Sequence, residues 1–323
     1  MSREIKNLRD KLWQRGELFR TIRDYFFLEE VVEVDTPIMS QFGNPDPALL
    51  NFKSCYTGPG KLHNCETYLI TSPEYHMKRL LAAGSGSCYY LGKVFRDGEL
   101  SHRHNPEFTM LEWYREGFDL ETLMEEVYRL IRILSGKDLE RESYSYQAAF
   151  QKFLGIDPFS MTLDALIAFI ESKDLSLTFM PRDRDEALDL IVSHLLEPQF
   201  DRNRVTFLYH YPATQASLAK IVTDDDDGNL VGKRFETYWQ GLELANGYEE
   251  LTESQEQRAR FEAENSVRQE IGYEAVPIDH LLLESLDQLP FCSGVALGVD
   301  RLLMAIWGKE DIADVQAFGF EQS

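Results

Sequence analysis

Three short stretches constrain this chain more than any others, because in each of them charged side chains interrupt an otherwise apolar strand. The first is Phe95-Arg96-Asp97-Gly98-Glu99, continued by Arg103-His104-Asn105-Pro106-Glu107-Phe108. The second is Leu242-Glu243-Leu244-Ala245-Asn246-Gly247-Tyr248-Glu249-Glu250-Leu251, and the third is Gly294-Val295-Ala296-Leu297-Gly298-Val299-Asp300-Arg301-Leu302. Burying a charge is costly unless it is paired or meets a ligand. Taken singly, each stretch has a structural explanation: Arg96 pairing with Glu112, Glu243 facing solvent from a strand, Arg301 pairing with Asp300. Taken together they ask for a common partner.

The pattern around them predicts an α+β fold. Ile5, Leu8 and Leu12, then Phe19, Ile22 and Phe26, recur at helical steps, and Val31 to Val34 follows as a short strand broken by Thr36-Pro37. Prolines and glycines from Asn44 to Gly60 predict loops and hairpins, and Thr67 to Ile70 a short strand. Strands over Cys88–Phe95 and Glu107–Tyr114 bracket a polar loop, Arg96 to Pro106. Asp119 is placed to cap a helix with an apolar face of Leu120, Leu123, Met124, Val127, Leu130, Ile131 and Leu134. Short helical patterns fill about 144–204, which predicts a helical insertion. Strands return at Val205–Tyr209, Leu218–Val222 and, as one long strand, Phe235–Asn246. Thr252-x-x-Gln255 predicts a capping box for a helix reaching Ile271. A last strand, Gly294–Gly298, runs into a helix over Val299–Trp307. Strands in the middle and end with helices elsewhere predict an antiparallel sheet flanked by helices, in one domain over 1–323.

Composition then excludes whole classes. The 323 residues are 43% hydrophobic, ample for a core, yet no apolar run approaches the roughly 20 residues of a membrane span. Met1 to Asp10 is charged, unlike a secretory signal. Cys55, Cys65, Cys88 and Cys292 show no C-x-x-C spacing, so reduced thiols in a cytoplasmic protein are expected. Against 33 Lys and Arg stand 55 Asp and Glu, a net charge of −22 with no local basic patch, which disfavours nucleic acid as a partner. The run Asp224 to Gly228 lacks the twelve-residue ligand pattern of an EF-hand and is expected as a solvated hairpin tip.

The common partner is legible in the residue types. Arg96, Arg301 and His104 offer planar donors to phosphate. Glu243 and Glu250 can hold Mg²⁺, which needs few carboxylates when phosphate oxygens complete its shell. Phe108 offers a flat face to a base, and Gly247, Gly294 and Gly298 allow backbone to approach a ligand closely. This describes a nucleoside triphosphate site on an antiparallel sheet, without a P-loop motif.

These strings resemble the catalytic core of class II aminoacyl-tRNA synthetases, and the lysyl branch most closely. Arg15 to Pro37 resembles motif 1, the helix and strand of the dimer interface. Val94 to Tyr114, with FRDGELSHRHNPEFTMLEWY, resembles motif 2, and GVALGVDRLL at Gly294 to Leu303 resembles motif 3. TSPEYHMKRLL at Thr71 to Leu81 and GLELANGYEEL at Gly241 to Leu251 are similar to lysyl-type signatures. With motif 1 so early, no anticodon-binding domain is expected. That shortening and the acidic surface fit the synthetase paralogues that attach β-lysine to translation elongation factor P, with tRNA not expected as acceptor.

The resemblance implies roles position by position. Ser72, Pro73 and Glu74 form a substrate loop, Glu112 and Tyr114 read an ammonium, and Asn246 lies near the substrate carboxylate. Arg96 contacts the α-phosphate, Asp97 and Gly98 belong to the same nucleotide segment, and His104 and Asn105 lie near the outer phosphates. Phe108 stacks on adenine, Leu244 and Gly298 line the ATP site, and Arg301 binds the γ-phosphate. Glu243 and Glu250 carry Mg²⁺, Glu250 lying also near the substrate amine. Arg96 and Arg301 are the catalytic pair. The implied reaction uses ATP to make an acyl-adenylate with release of pyrophosphate, then transfers the lysyl group to a lysine ε-amine of elongation factor P. A homodimer is implied by motif 1.

Two positions depart from the lysyl pattern. Gly98 stands where a glutamate would bond adenine, with Glu99 adjacent as a substitute. Ala296 stands where lysyl synthetases carry glycine, and its methyl group is expected to favour the β isomer. Two other readings stay open: a minimal enzyme charging tRNA or a small acceptor, and a non-catalytic regulatory paralogue. A pseudoenzyme usually loses its phosphate arginines or metal carboxylates, and here all four are present.

Overall fold

A computed structural model of the chain describes residues 7–173, 175, 179–225 and 228–323. Met1 to Lys6, including Ile5 of the first helical stripe, and Asp226 and Asp227 of the polar turn lie outside the described residues. In chain order the elements are α1 (Leu8–Leu28), β1 (Val32–Glu33), β2 (Met39–Ser40), β3 (Lys53–Tyr56), β4 (Cys65–Leu69), α2 (Glu74–Ala82), β5 (Cys88–Phe95), β6 (Glu107–Glu116) and α3 (Leu120–Ser135). They continue with β7 (Glu140–Ser145), α4 (Tyr146–Leu154), α5 (Leu163–Glu171), α6 (Arg184–Ile191), β8 (Arg204–Pro212), β9 (Ile221–Thr223), β10 (Leu230–Trp239) and β11 (Leu242–Glu249). The last are α7 (Ser254–Glu270), α8 (His280–Leu286), β12 (Cys292–Gly298) and α9 (Val299–Trp307). They form two compact units, Met1–Lys137 with Glu249–Ser323, and Asp138–Tyr248.

The first unit is built on strands in the order β1-β5-β6-β12, with β1 parallel to β5 and the other pairs antiparallel. Register divides its side chains cleanly. Directly paired residues share a face, so Tyr90, Glu112 and Ala296 stand on one side, and Tyr89 and Trp113 with Val295 on the other. The second side is the apolar one. Phe26 of α1 stacks on Tyr89 at 4.4 Å and meets Trp113 edge-on at 5.5 Å. The Trp113 indole N–H donates to Glu126 of α3 at 2.9 Å. Deleting a ring from such packing costs about 3–5 kcal/mol, so this face fixes the sheet. Helix α3 starts where Asp119 accepts the Thr122 N–H at 2.9 Å and stops at Gly136, whose φ of 62° suits glycine. A small sheet, β2-β4-β3, completes the strands of this unit.

The second unit orders its strands β11-β10-β8-β7, with β9 beside β10. Its core packs Phe150, Leu166, Ile170, Leu188 and Ile191 of helices α4–α6 against Leu208 and Tyr211 of β8.

The α+β arrangement of sheet and flanking helices expected from the sequence is the fold found, and three local expectations are corrected. Phe235–Asn246 is a hairpin, β10 and β11, rather than one strand. Gln240 at φ 58° and Gly241 at φ 74° make the two-residue turn that suits a hairpin's twist. Thr252 does not cap α7: the Ser254 N–H and hydroxyl donate to the two oxygens of Asp287, at 3.1 and 3.0 Å, so a distant carboxylate supplies the cap. The helix α2 begins at Glu74, inside the segment expected as a pocket loop.

Candidate active site

The face of the first unit's sheet away from α1 carries several of the residues expected in the site. Along β6 it presents Phe108, Met110, Glu112 and Tyr114, and the paired positions on β12 are Gly298, Ala296 and Gly294. Small residues on β12 leave room above β6. At Gly294 the room is already taken, because a Cβ there would lie 2.3 Å from the Tyr114 ring. Phe108 and Glu112 are four residues apart, so roughly 13 Å of strand separates an aromatic end from an acidic end.

The acidic end is a buried charge cluster. The Ser72 hydroxyl donates to Glu112 Oε2 at 2.7 Å and accepts the Glu74 N–H at 2.9 Å, while the Tyr114 hydroxyl donates to Glu112 Oε1 at 2.9 Å. Pro73 precedes Glu74 at the start of α2 and sets the turn. Lys78, one helical turn on, reaches both Glu74 and Glu250 at 2.6 Å with its side chain 1% exposed. Burial works against the ammonium, but Glu250 and Glu74 outweigh it and hold Lys78 charged. Burial pushes Glu112 up to about 8, and the Glu74 charge adds to it against the two hydroxyls. Glu250 is raised by burial too, with Lys78 pulling it back. Glu74 and Glu250 thus share one internal cation while Glu112 is held by two hydroxyls, and the end is short of positive charge.

The sign of the pH dependence follows. Glu112 binds its proton more tightly folded than unfolded, so its contribution to stability falls as pH rises from about 4.5 and levels off above about 8. A ligand ammonium favours the ionised form, so its affinity is expected to rise over the same interval, with a proton released on binding. Calorimetry in two buffers of different ionisation heat measures that release. Affinity that does not change from pH 6 to pH 8 would contradict it.

The other end is basic. Arg96 lies over the Phe108 ring at 5.2 Å, and its Nε is buried without a hydrogen-bond partner. Its guanidinium approaches Glu99 at 3.6 Å, so neither Glu112 nor Asp97 is its partner. Asp97 accepts the Gly98 N–H at 2.8 Å, and Gly98 has φ 77°, a backbone state that a glutamate would adopt with strain. Arg301 Nη2 donates to His104 Nε2 at 2.5 Å, and the ring proton on Nδ1 is then shared with Ser101 at 2.9 Å. Burial first, then Arg301 and Arg96, lower His104 to about 4, so it is a neutral acceptor. Gly298 is the N-cap of α9, and a Cβ there would have the Arg301 side chain as its nearest contact, at 3.8–3.9 Å.

Asn105 is not brought to this face. It is buried and donates to Gln316 Oε1 at 2.5 Å, in a cavity lined by Phe52, Phe95 and Phe318, because that amide is its nearest partner. Glu243, Leu244 and Asn246 lie on β11 of the second unit, where Leu244 is buried and Asn246 accepts from Arg234 Nε at 3.3 Å. Arg301 does not pair with Asp300; Arg15 does, at 2.6 Å. Sequence reasoning missed Lys78, whose signal was a lysine four residues after Glu74 on an apolar helix face.

Mg²⁺ takes one or two protein carboxylates and fills its shell with phosphate and water oxygens. Among the described residues no group of three or more His, Cys, Asp or Glu could hold a metal by itself. Glu250 fits such a companion role only by sharing its carboxylate with Lys78.

The family model described as tRNA synthetases class II (D, K and N) matches residues 3–322. The chain belongs to the class II tRNA synthetases. Within this family it is similar to proteins named elongation factor P–(R)-β-lysine ligase. That of Photorhabdus laumondii is 46% identical over 314 residues, covering 97% of this chain and 95% of the relative. That of Yersinia enterocolitica is 47% identical over 309 residues, covering 95% and 94%. That of Salmonella gallinarum is 46% identical over 315 residues, covering 97% and 95%. This class II synthetase is an enzyme of the ligase class, and class II ligases of this kind use ATP. Among the described residues no helix is long and apolar enough to cross a membrane.

Proposed function

We propose that this synthetase activates (R)-β-lysine with ATP and transfers it to a lysine of translation elongation factor P. The observation that carries the reading is the division of one strand face between a buried carboxylate cluster and an arginine-aromatic end. A diamino acid fits between them: ammonium groups among Glu74, Glu112 and Glu250, carboxylate towards Arg96. The relatives' names supply the isomer and the acceptor protein.

The first step forms a bond between a substrate carboxylate oxygen and the α-phosphorus, and breaks the bond to pyrophosphate. Negative charge accumulates on the phosphoryl oxygens, and Arg96 and Arg301 stabilise it; most of the remaining acceleration is alignment. Mg²⁺, bound with the nucleotide and touching Glu250, would neutralise phosphate charge. Adenine rests on Phe108, with Glu99 beside Arg96 replacing the glutamate absent at Gly98. In the second step a neutral lysine ε-amine of the partner attacks the acyl carbon, the amide forms, AMP leaves, and the amine's proton passes to solvent. No enzyme nucleophile is needed, and Cys88 and Cys292 are buried.

We also propose a homodimer, because α1 and the strand after it expose Trp13, Phe27, Leu28 and Val32. A net charge of −22 favours a basic acceptor surface over tRNA.

The test is mass spectrometry of elongation factor P incubated with this enzyme, ATP, Mg²⁺ and (R)-β-lysine. The expected product is heavier by one lysyl residue and resists alkaline hydrolysis, as an amide does. Unmodified elongation factor P, or lysyl transfer to tRNA instead, would contradict the reading.

A further inference from the structure

The nucleotide end is tied to the first helix by a closed set of polar contacts outside the site. Asp300 is 1% exposed in the first turn of α9, one residue before Arg301. Its Oδ2 accepts the Thr109 backbone N–H at 2.7 Å, and Thr109 is one residue after Phe108. Strand β12 ends at Gly298, opposite Met110, so this carboxylate takes the place of a sheet partner just beyond the end of the ladder. Asp300 Oδ1 accepts from Arg15 Nη1 of α1 at 2.6 Å, and Arg15 Nη2 donates to the Thr109 hydroxyl at 2.8 Å. Arg15 also donates to the Val315 carbonyl at 3.3 Å. The ring Arg15–Asp300–Thr109 closes on itself.

We propose that Asp300, held by Arg15, is the positioning residue that sets the spacing between Phe108 and Arg301. This rests on the function proposed above, in which those two side chains grip the base and the outer phosphates of one nucleotide. Each is covalently one residue from a member of the ring. A shift of Asp300 therefore moves Arg301 with the start of α9 and frees the Thr109 end of β6 that carries Phe108. The acidic pocket is not in the ring: Ser72, Glu112 and Tyr114 bond one another instead. The ring consequently governs the nucleotide and not the amino acid. Through Arg15 it also makes the position of α1 part of the nucleotide site.

The test is steady-state ATP–pyrophosphate exchange with Thr109→Val, Asp300→Asn and Arg15→Lys, alongside melting temperature and the KM for each substrate. Thr109→Val removes one hydroxyl contact and keeps the shape, so it guards against loss of folding in the other two. KM for ATP is expected to rise about 3-fold in Thr109→Val and about 10-fold or more in Asp300→Asn. Arg15→Lys, which keeps the charge beside Asp300, should fall between wild type and Asp300→Asn. KM for the amino acid should stay within 2-fold in all three. A fall in kcat with both KM values unchanged marks a merely structural role and overturns the inference, as does an unchanged KM for ATP throughout. A wild-type enzyme without exchange would overturn the proposed function itself, a separate failure.

Discussion

Alanine in place of Arg301 is expected to lower amino-acid-dependent pyrophosphate release by about 10²–10³-fold, the loss typical of removing one preorganised charge from a transition state. In the proposed activation step, charge grows as pyrophosphate leaves on phosphoryl oxygens that a guanidinium can grip with two parallel N–H donors. A lysine supplies charge without the planar fork, so Arg301→Lys should recover only part of the rate. In the structure the guanidinium donates to His104, which is neutral and fixed by Ser101, so it is held in place before any nucleotide arrives. Stopped-flow pyrophosphate detection on folded variant measures the effect. A loss under 3-fold would mean that Arg301 serves the structure and not the reaction.

The second large effect concerns Lys78. Replacing it by methionine removes the only cation bonded to Glu74 and Glu250 among the described residues, and leaves the buried Glu250 carboxylate beside that of Glu74. Removing one partner of a buried ion pair costs about 3–5 kcal/mol. The cost depends on pH in a definite direction. Burial already raises Glu250 and Lys78 pulls it back, so without Lys78 it holds its proton more tightly when folded, and the variant loses stability as pH rises above the ordinary carboxylate range. Denaturant unfolding at pH 5 and pH 8 measures this, the deficit being larger at pH 8. Equal deficits at both values would show that the carboxylates are not waiting for a cation.

The parts of the fold most legible in the sequence were those whose evidence is local. Cys88–Phe95 and Val299–Trp307 fall where apolar alternation and helical spacing placed them, and Asp119 caps α3 as a short polar residue before an apolar stripe should. The hairpin at Gln240-Gly241 was hidden because glutamine seldom adopts positive φ, so the pair lacks the usual Asn-Gly signal. Strand β7, Glu140–Ser145, was hidden by its polar sequence: it pairs in parallel with β8 at the end of the strand order, where one edge needs no apolar cover. The candidate site divides in the same way. The residue types of Arg96, His104, Arg301, Glu112 and Tyr114 carry the proposed phosphate and amine recognition. Partnerships are not legible in this way, since Asp300 finds Arg15 across 285 positions and Asn105 finds Gln316 across 211.

The most direct measurement is ATP–pyrophosphate exchange on the purified enzyme with each lysine isomer supplied in turn. If a diammonium acid is activated between the carboxylate cluster and the two arginines, label from pyrophosphate appears in ATP when (R)-β-lysine is present and not when amino acid is omitted. Exchange that ignores the amino acid, or none with either isomer, would contradict the account.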